Sequence, residues 1–203
     1  MQETRRGRPP LSAEQRVRQR LEISRHAVRL FRAQGLVVTS GAQIAEAAGV
    51  SERTVWRWFR VKESCVEPLL RSAMEAFGEA LHTWPADRGL LDHLRREYRP
   101  AGDGELDDVL AVVRMTADEP ALRAVWLLLQ EQAEPTLTEV FARRLGVSAD
   151  SVEARTKAAV VNAALRIATD ELAAAAAEIG VAAAAEAHGG RLSEILRIAT
   201  GPF

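Results

Sequence analysis

Residues 41–60, GAQIAEAAGVSERTVWRWFR, constrain the fold more than any other stretch of the chain. Two short helical patterns lie on either side of Gly49, Val50 and Ser51, a spacing that imposes a sharp turn between two helices. Helices that cross at close range need a small residue where the backbones approach and a glycine where the chain turns. Ala45 and Gly49 supply these, four residues apart. Ile44, Ala48, Val50, Val55 and Phe59 are the apolar positions expected to lock the pair together, with Trp58 half-buried beside them. Ser51 is placed to cap the second helix, its hydroxyl accepting from a free backbone N–H of the first turn. On a 3.6-residue wheel Val55 and Phe59 share the inward stripe, which leaves Arg53, Thr54, Trp56 and Arg57 on the outer arc.

The rest of the chain carries the helical period as well. From Ser12 to Gln34, Val17, Leu21, Ile23, Ala27, Val28, Leu30 and Phe31 recur at three- and four-residue spacing, with Ser12 as an expected N-cap and Gly35 as the stop. A long helix is expected over 64–84, with Pro68 tolerable near its first turn. Further helices are expected near 88–99, 105–117, 120–145, 150–178 and 191–200. Breaks are marked at Pro85, Gly89, Pro100 to Gly104, Pro120, Pro135, Gly146, Gly180 and Gly189–Gly190. No useful length of strand-period alternation occurs, so the fold class is all-α. With 203 residues, 47% of them hydrophobic, the chain has room for a small module on a larger one, and collagen-like, disordered and membrane-spanning classes fall away.

Charge separates the two parts. Residues 1–62 hold 13 Lys or Arg against 5 Asp or Glu, a net of +8, and the remainder holds 14 against 23, a net of −9. A small basic module suits a polyanion, because each neutralised phosphate releases condensed counterions; a solvated, Arg-rich helix face is the alternative. The outer arc of the second short helix favours the polyanion. Arginine pairs bidentately with guanine, threonine meets a thymine methyl or a phosphate, and an indole N–H can reach a phosphate oxygen.

The segment TSGAQIAEAAGVSERTVWRWFRVKE, residues 39–63, resembles the DNA-binding signature of the tetracycline-repressor (TetR) family of bacterial one-component regulators. The likeness rests on Ile44-Ala45, the Ala48-Gly49-Val50-Ser51 turn, Thr54, the aromatic at 56, Phe59 and Lys62-Glu63. Leu30-Phe31 and Gly35 fit the end of the preceding helix. The resemblance implies a three-helix, helix-turn-helix DNA-binding domain over 12–62 and a larger α-helical ligand-binding and dimerisation domain over 63–203. It also implies recognition-helix contacts from Ser51, Arg53, Thr54 and Arg57, with Trp56, Lys62 and Thr39 as further DNA contacts. Two positions depart from the family pattern. A tyrosine is common where Trp56 stands, and a β-branched residue is usual where Gly41 stands. The leading segment, residues 1–11, looks like the core of a minor-groove arm through Arg5, Arg6 and Arg8, with a solvated basic tail as the alternative.

The resemblance further implies a homodimer on a pseudo-palindromic double-stranded DNA operator, acting as a repressor released by an unknown small molecule, some relatives answering to acyl thioesters or other hydrophobic compounds. An architectural DNA binder without an effector is the alternative. Candidate pocket residues are Phe77, Trp84, Tyr98, Met115, Trp126 and Phe141, although for any one of them ordinary core is the favoured reading. The small-residue stretch 158–177 suits close packing, either against a partner copy or within the chain. No nucleophile, P-loop or metal-ligand spacing is found, so neither enzyme chemistry, a cofactor nor a metal is expected. Lone Cys65 excludes an intramolecular disulfide, and no membrane-spanning run or signal-peptide core is present, so a cytoplasmic location is expected.

Overall fold

A computed structural model of the chain describes residues 12–85, 87–98 and 104–200, and all regular structure among them is helical. The arm, residues 1–11 with Arg5, Arg6 and Arg8, lies outside the described residues. Helix α1 (Ala13–Gln34) starts at a capping box in which Ser12 accepts from the Gln15 backbone and the Gln15 side chain reaches back to the Ser12 N–H. It stops at Gly35, whose φ of 89° a side-chain-bearing residue would resist. Helix α2 (Gly41–Ala47) repeats the same device with Ser40 and Gln43. Gly49, at φ 63°, turns the chain, and α3 (Glu52–Trp58) begins from Ser51.

A short 3₁₀ segment, Lys62–Val66, leads into α4 (Glu67–His82), so Pro68 falls in the first turn, where its missing N–H costs nothing. Then come α5 (Leu90–Glu97), α6 (Glu105–Met115), α7 (Pro120–Leu145), α8 (Val152–Ile179) and α9 (Val181–Thr200). Two expected breaks are absent. Helix α7 runs through Pro135 and α9 through Gly189–Gly190, because packing outweighs the local cost of about 1 kcal/mol per glycine and about 3 per proline. Helix α9 is accordingly longer than the 191–200 segment expected for it.

The buried residues form two clusters. One joins Ile23, Val28 and Phe31 of α1, Ile44 of α2, Val55 of α3 and Val66, Leu69 and Leu70 to α6, Leu122, Trp126 and Leu129 of α7, and Ala173 of α8. The DNA-binding helices therefore sit on the same core as the first turns of the larger domain. Val17, expected on the buried face of α1, is exposed, since that end of α1 projects past the core. The second cluster lies at the far end of the molecule, around Leu81, Leu94, Leu137, Phe141, Val161 and Leu196.

Helix α8 resolves the ambiguity of its small residues by face. Ala158, Ala164, Ala168 and Ala173 are buried, whereas Val160, Ala163, Ile167 and Ala174 lie open on the other side.

Candidate nucleic-acid interface and ligand cavity

The recognition helix presents the arc expected of it. Val55 and Phe59 are buried, Trp58 is half-buried, and Arg53, Trp56 and Arg57 are exposed, with Thr54 between. Ser51 Oγ accepts from the Thr54 N–H at 3.2 Å and lies 2.8 Å from Thr54 Oγ1, so one pair of hydroxyls both caps the helix and orders its leading edge. The Arg57 guanidinium lies 5.2 Å from the centre of the Trp58 ring, which steadies the side chain while leaving its N–H groups outward. Arg53, Thr54 and Arg57 thus stand together on one solvent-facing surface.

Three of the expected DNA contacts have hydrogen-bond partners within the chain. Thr39 is 2% exposed; its hydroxyl donates to the Gly35 carbonyl at 2.7 Å and accepts from Gln34 Nε2 at 3.1 Å, which closes the α1–α2 link. Lys62 Nζ donates to the carbonyls of Leu36, Val37 and Thr39 at 2.7, 2.9 and 3.2 Å. An ammonium has three N–H groups, so none is left for a phosphate, and Lys62 pins the α1–α2 link from the far side of α3. Trp56 Nε1 donates to Glu52 Oε1 at 3.0 Å on the exposed face of α3. These bonds order the α1–α2 link and the outer face of α3.

The two departures from the family pattern turn out to be one feature. A Cβ built on Gly41 would meet Trp56 Cζ2 at 2.1 Å and Cε2 at 2.7 Å. The indole occupies the space that a β-branched residue at 41 would fill, so a tryptophan at 56 requires a glycine at 41. The pairing spans fifteen positions between two helices and leaves no periodic signal in the sequence.

The basic surplus of the N-terminal module is partly spent inside the molecule. Arg25 Nη2 lies 2.8 Å from Glu105, and Arg32 reaches Asp108 at 2.5 Å and Asp107 at 2.7 Å, all in the first turn of α6; Arg29 Nε is 3.9 Å from Asp108. Hydrogen bonds to the Glu105 and Glu22 carboxylates raise the Arg25 pKa above its ordinary value against the cost of burial. Three carboxylates at a helix N-terminus also suit its dipole. The +8 and −9 halves therefore grip one another, and only part of the basic face is free for a polyanion.

The opposite side of α6 opens on a cavity of about 850 Å³. That size is at home among small-molecule sites. Leu106, Val109 and Leu110 of α6 line it, together with residues of α4, α7, α8 and α9. Of the expected pocket residues, Phe77, Tyr98 and Trp126 are in the wall, Phe77 and Tyr98 meeting edge to face at 5.9 Å between ring centres. Trp84, Met115 and Phe141 are not. Trp84 stacks edge to face on Phe141 at 6.4 Å in the far cluster, and Met115 packs against the core at the end of α6. The polar wall residues Gln130, Asn162 and His188 were missed, because a polar residue inside a helical pattern looks like surface until its neighbours are known.

Burial raises the Tyr98 phenol to about 12, so it stands protonated as a donor. Burial likewise pushes the Cys65 thiol up to about 12, which suits packing and not thiolate chemistry. Among the described residues no cluster of metal-ligating side chains is found, and no helix is long and apolar enough to cross a membrane.

A three-helix module with an exposed, arginine-bearing third helix, seated on a helical domain that contains a cavity of about 850 Å³, has the architecture of a helix-turn-helix DNA-binding module joined to a larger helical domain. Residues 23–69 match the family described as bacterial regulatory proteins, tetR family. The N-terminal domain belongs to that family. The chain is 35% identical over 142 residues to the HTH-type transcriptional regulator TcmR of Streptomyces glaucescens, a match that covers 66% of this chain and 63% of that protein. The match thus spans just under two thirds of that relative's length. Among solved structures, Salmonella enterica GusR aligns at a TM-score of 0.54 with 19% identity, covering 89% of this chain and 96% of that one. Thermus thermophilus FadR, a TetR-family transcriptional repressor in complex with lauroyl-CoA, aligns at 0.52 with 20% identity, covering 89% and 92%. These two structural likenesses establish the fold.

Proposed function

We propose that this chain is a sequence-specific transcriptional regulator that binds a pseudo-palindromic operator as a homodimer, represses, and is released when a small hydrophobic molecule fills the cavity between α4, α6, α7 and α8. One observation carries the reading: α6 faces the cavity through Leu106, Val109 and Leu110 and holds the DNA-binding helix α1 through Glu105, Asp107 and Asp108. A molecule that displaces α6 must disturb the ion pairs that set the height and tilt of α1. Release then follows from a ligand that prefers the displaced state, by an amount equal to its differential affinity for the two.

The dimer would form on the open face of α8, where Val160, Ala163 and Ile167 recur at three- and four-residue spacing and are exposed among the described residues. Its two recognition helices would then enter major grooves one turn, about 34 Å, or a multiple of it apart. Arg53, Thr54 and Arg57 would read bases or phosphates, with Ser51 ordering the helix start. Arg5, Arg6 and Arg8 would follow the adjacent minor groove, and the protein would act in the cytoplasm. An architectural binder would have no use for a cavity coupled to α1, and the family match does not favour that alternative.

Selection of bound fragments from a random DNA pool by the purified protein at near-physiological salt, followed by a salt titration on the winners, tests the reading. Enrichment of an inverted repeat is the expected result. Binding without any enriched motif would overturn it in favour of the architectural alternative.

A further inference from the structure

One side chain on the recognition surface has the wrong charge for a phosphate backbone. Glu52 opens α3, is exposed, and accepts the Trp56 indole N–H on Oε1 at 3.0 Å. The indole is itself fixed, because its ring lies across Gly41 so closely that no side chain fits beneath it. One carboxylate oxygen is thereby tied to the indole, on a side chain that is itself exposed.

We infer that Glu52 is a specificity-determining residue that accepts a hydrogen bond from a cytosine amino group in the major groove, with Trp56 as its positioning residue. The inference rests on the operator-binding reading above. A carboxylate at a DNA surface is repelled by phosphates and can accept nothing from them, so the DNA group that favours it there is a hydrogen-bond donor on a base edge. In the major groove the donors are the exocyclic amino groups of cytosine and adenine, and glutamate pairs with cytosine N4, whereas glutamine pairs bidentately with adenine. The first turn of a recognition helix is the part that reaches base edges. Glu52 occupies that turn beside Arg53. The sequence marks Trp56 and Gly41 as departures from the family pattern, and their joint effect is to aim this carboxylate.

The test is parallel selection from one random DNA pool by full-length wild type, Glu52→Gln and Trp56→Phe, with base frequencies counted at each position and the melting temperature recorded for each protein. The wild-type motif is expected to fix cytosine at one position per half-site. Glu52→Gln should lower the cytosine preference there by about fivefold or more, the lower end of discrimination by a base contact, and move it towards adenine. Trp56→Phe keeps a ring over Gly41 but removes the N–H, and should blunt the preference at that same position only. An identical motif for all three proteins, with only affinity or melting temperature altered, would mean that Glu52 merely complements the helix dipole and would overturn the inference. Wild type without any enriched motif would overturn the operator-binding reading itself, and a cytosine-free motif obeyed by wild type would overturn the inference alone.

Discussion

The two faces of α6 separate two kinds of molecular surface. Towards the N-terminal module, geometry is held by named polar contacts: serine caps on α1, α2 and α3, three carbonyls on one ammonium, and arginines on carboxylates across 76 and 80 positions of sequence. Towards the cavity, apolar side chains make up most of the wall, with a few hydrogen-bonded polar groups among them, such as Asn162 Nδ2 donating to the Gln130 carbonyl at 2.9 Å. Directional bonds make the first region stiff and intolerant of exchange, whereas a wall of Leu, Met and Phe can repack around a guest with little loss. The proposed function draws on both properties, one for reading a fixed DNA lattice and one for admitting a ligand.

The contrast can be broken most sharply in the core. Phe31→Ala removes a side chain buried between α1 and the larger domain and should cost about 3 to 5 kcal/mol, read by thermal or denaturant unfolding. Phe77→Ala, at a wall that already borders open space, should cost clearly less. Equal losses at the two sites would mean that the cavity wall is packed as rigidly as the module.

Gly41→Val should destabilise by about 1 to 3 kcal/mol, because the new side chain meets the indole. Combined with Trp56→Ala, which clears the space, most of that loss should return; a fully additive double variant would show that the glycine and tryptophan are not coupled. Arg57→Ala should lower specific DNA affinity by about 1 to 3 kcal/mol and relax base preference while leaving the melting temperature near wild type, checked by binding titration on specific and random duplexes. The smallest effect is expected at Ser51→Ala, about 1 kcal/mol of stability from the lost cap, with a matching loss of operator affinity as the leading turn of α3 frays.

Much of the N-terminal module was legible from sequence because its signals are local. Ser12 and Ser40 lie three residues before a glutamine, Gly35 and Gly49 end their helices, and Val55 and Phe59 share a stripe at four-residue spacing. The partners of Thr39, Lys62 and Trp56 within the chain were not legible, for one common reason. A polar side chain on a short helix or link looks like surface until the element behind it is placed, and here their partners are a link carbonyl, three carbonyls of a distant segment and a glutamate. Only half of the six proposed pocket aromatics and softer apolar residues line the cavity, because an apolar residue inside a helical pattern fits a core and a cavity wall equally well.

By itself, then, the sequence determined the all-α class, the turn between α2 and α3, the caps, and which residues of the recognition helix point outward. Each depends on residues within about four positions of one another, and the helical period carries that information. Tertiary structure alone decided which arginines meet α6 and which meet solvent, that Gly41 exists to seat Trp56, that Pro135 and Gly189–Gly190 stay helical, and where about 850 Å³ is left empty. Those outcomes depend on how whole helices dock, and docking energies that outweigh local propensities leave no trace in any short window of residues.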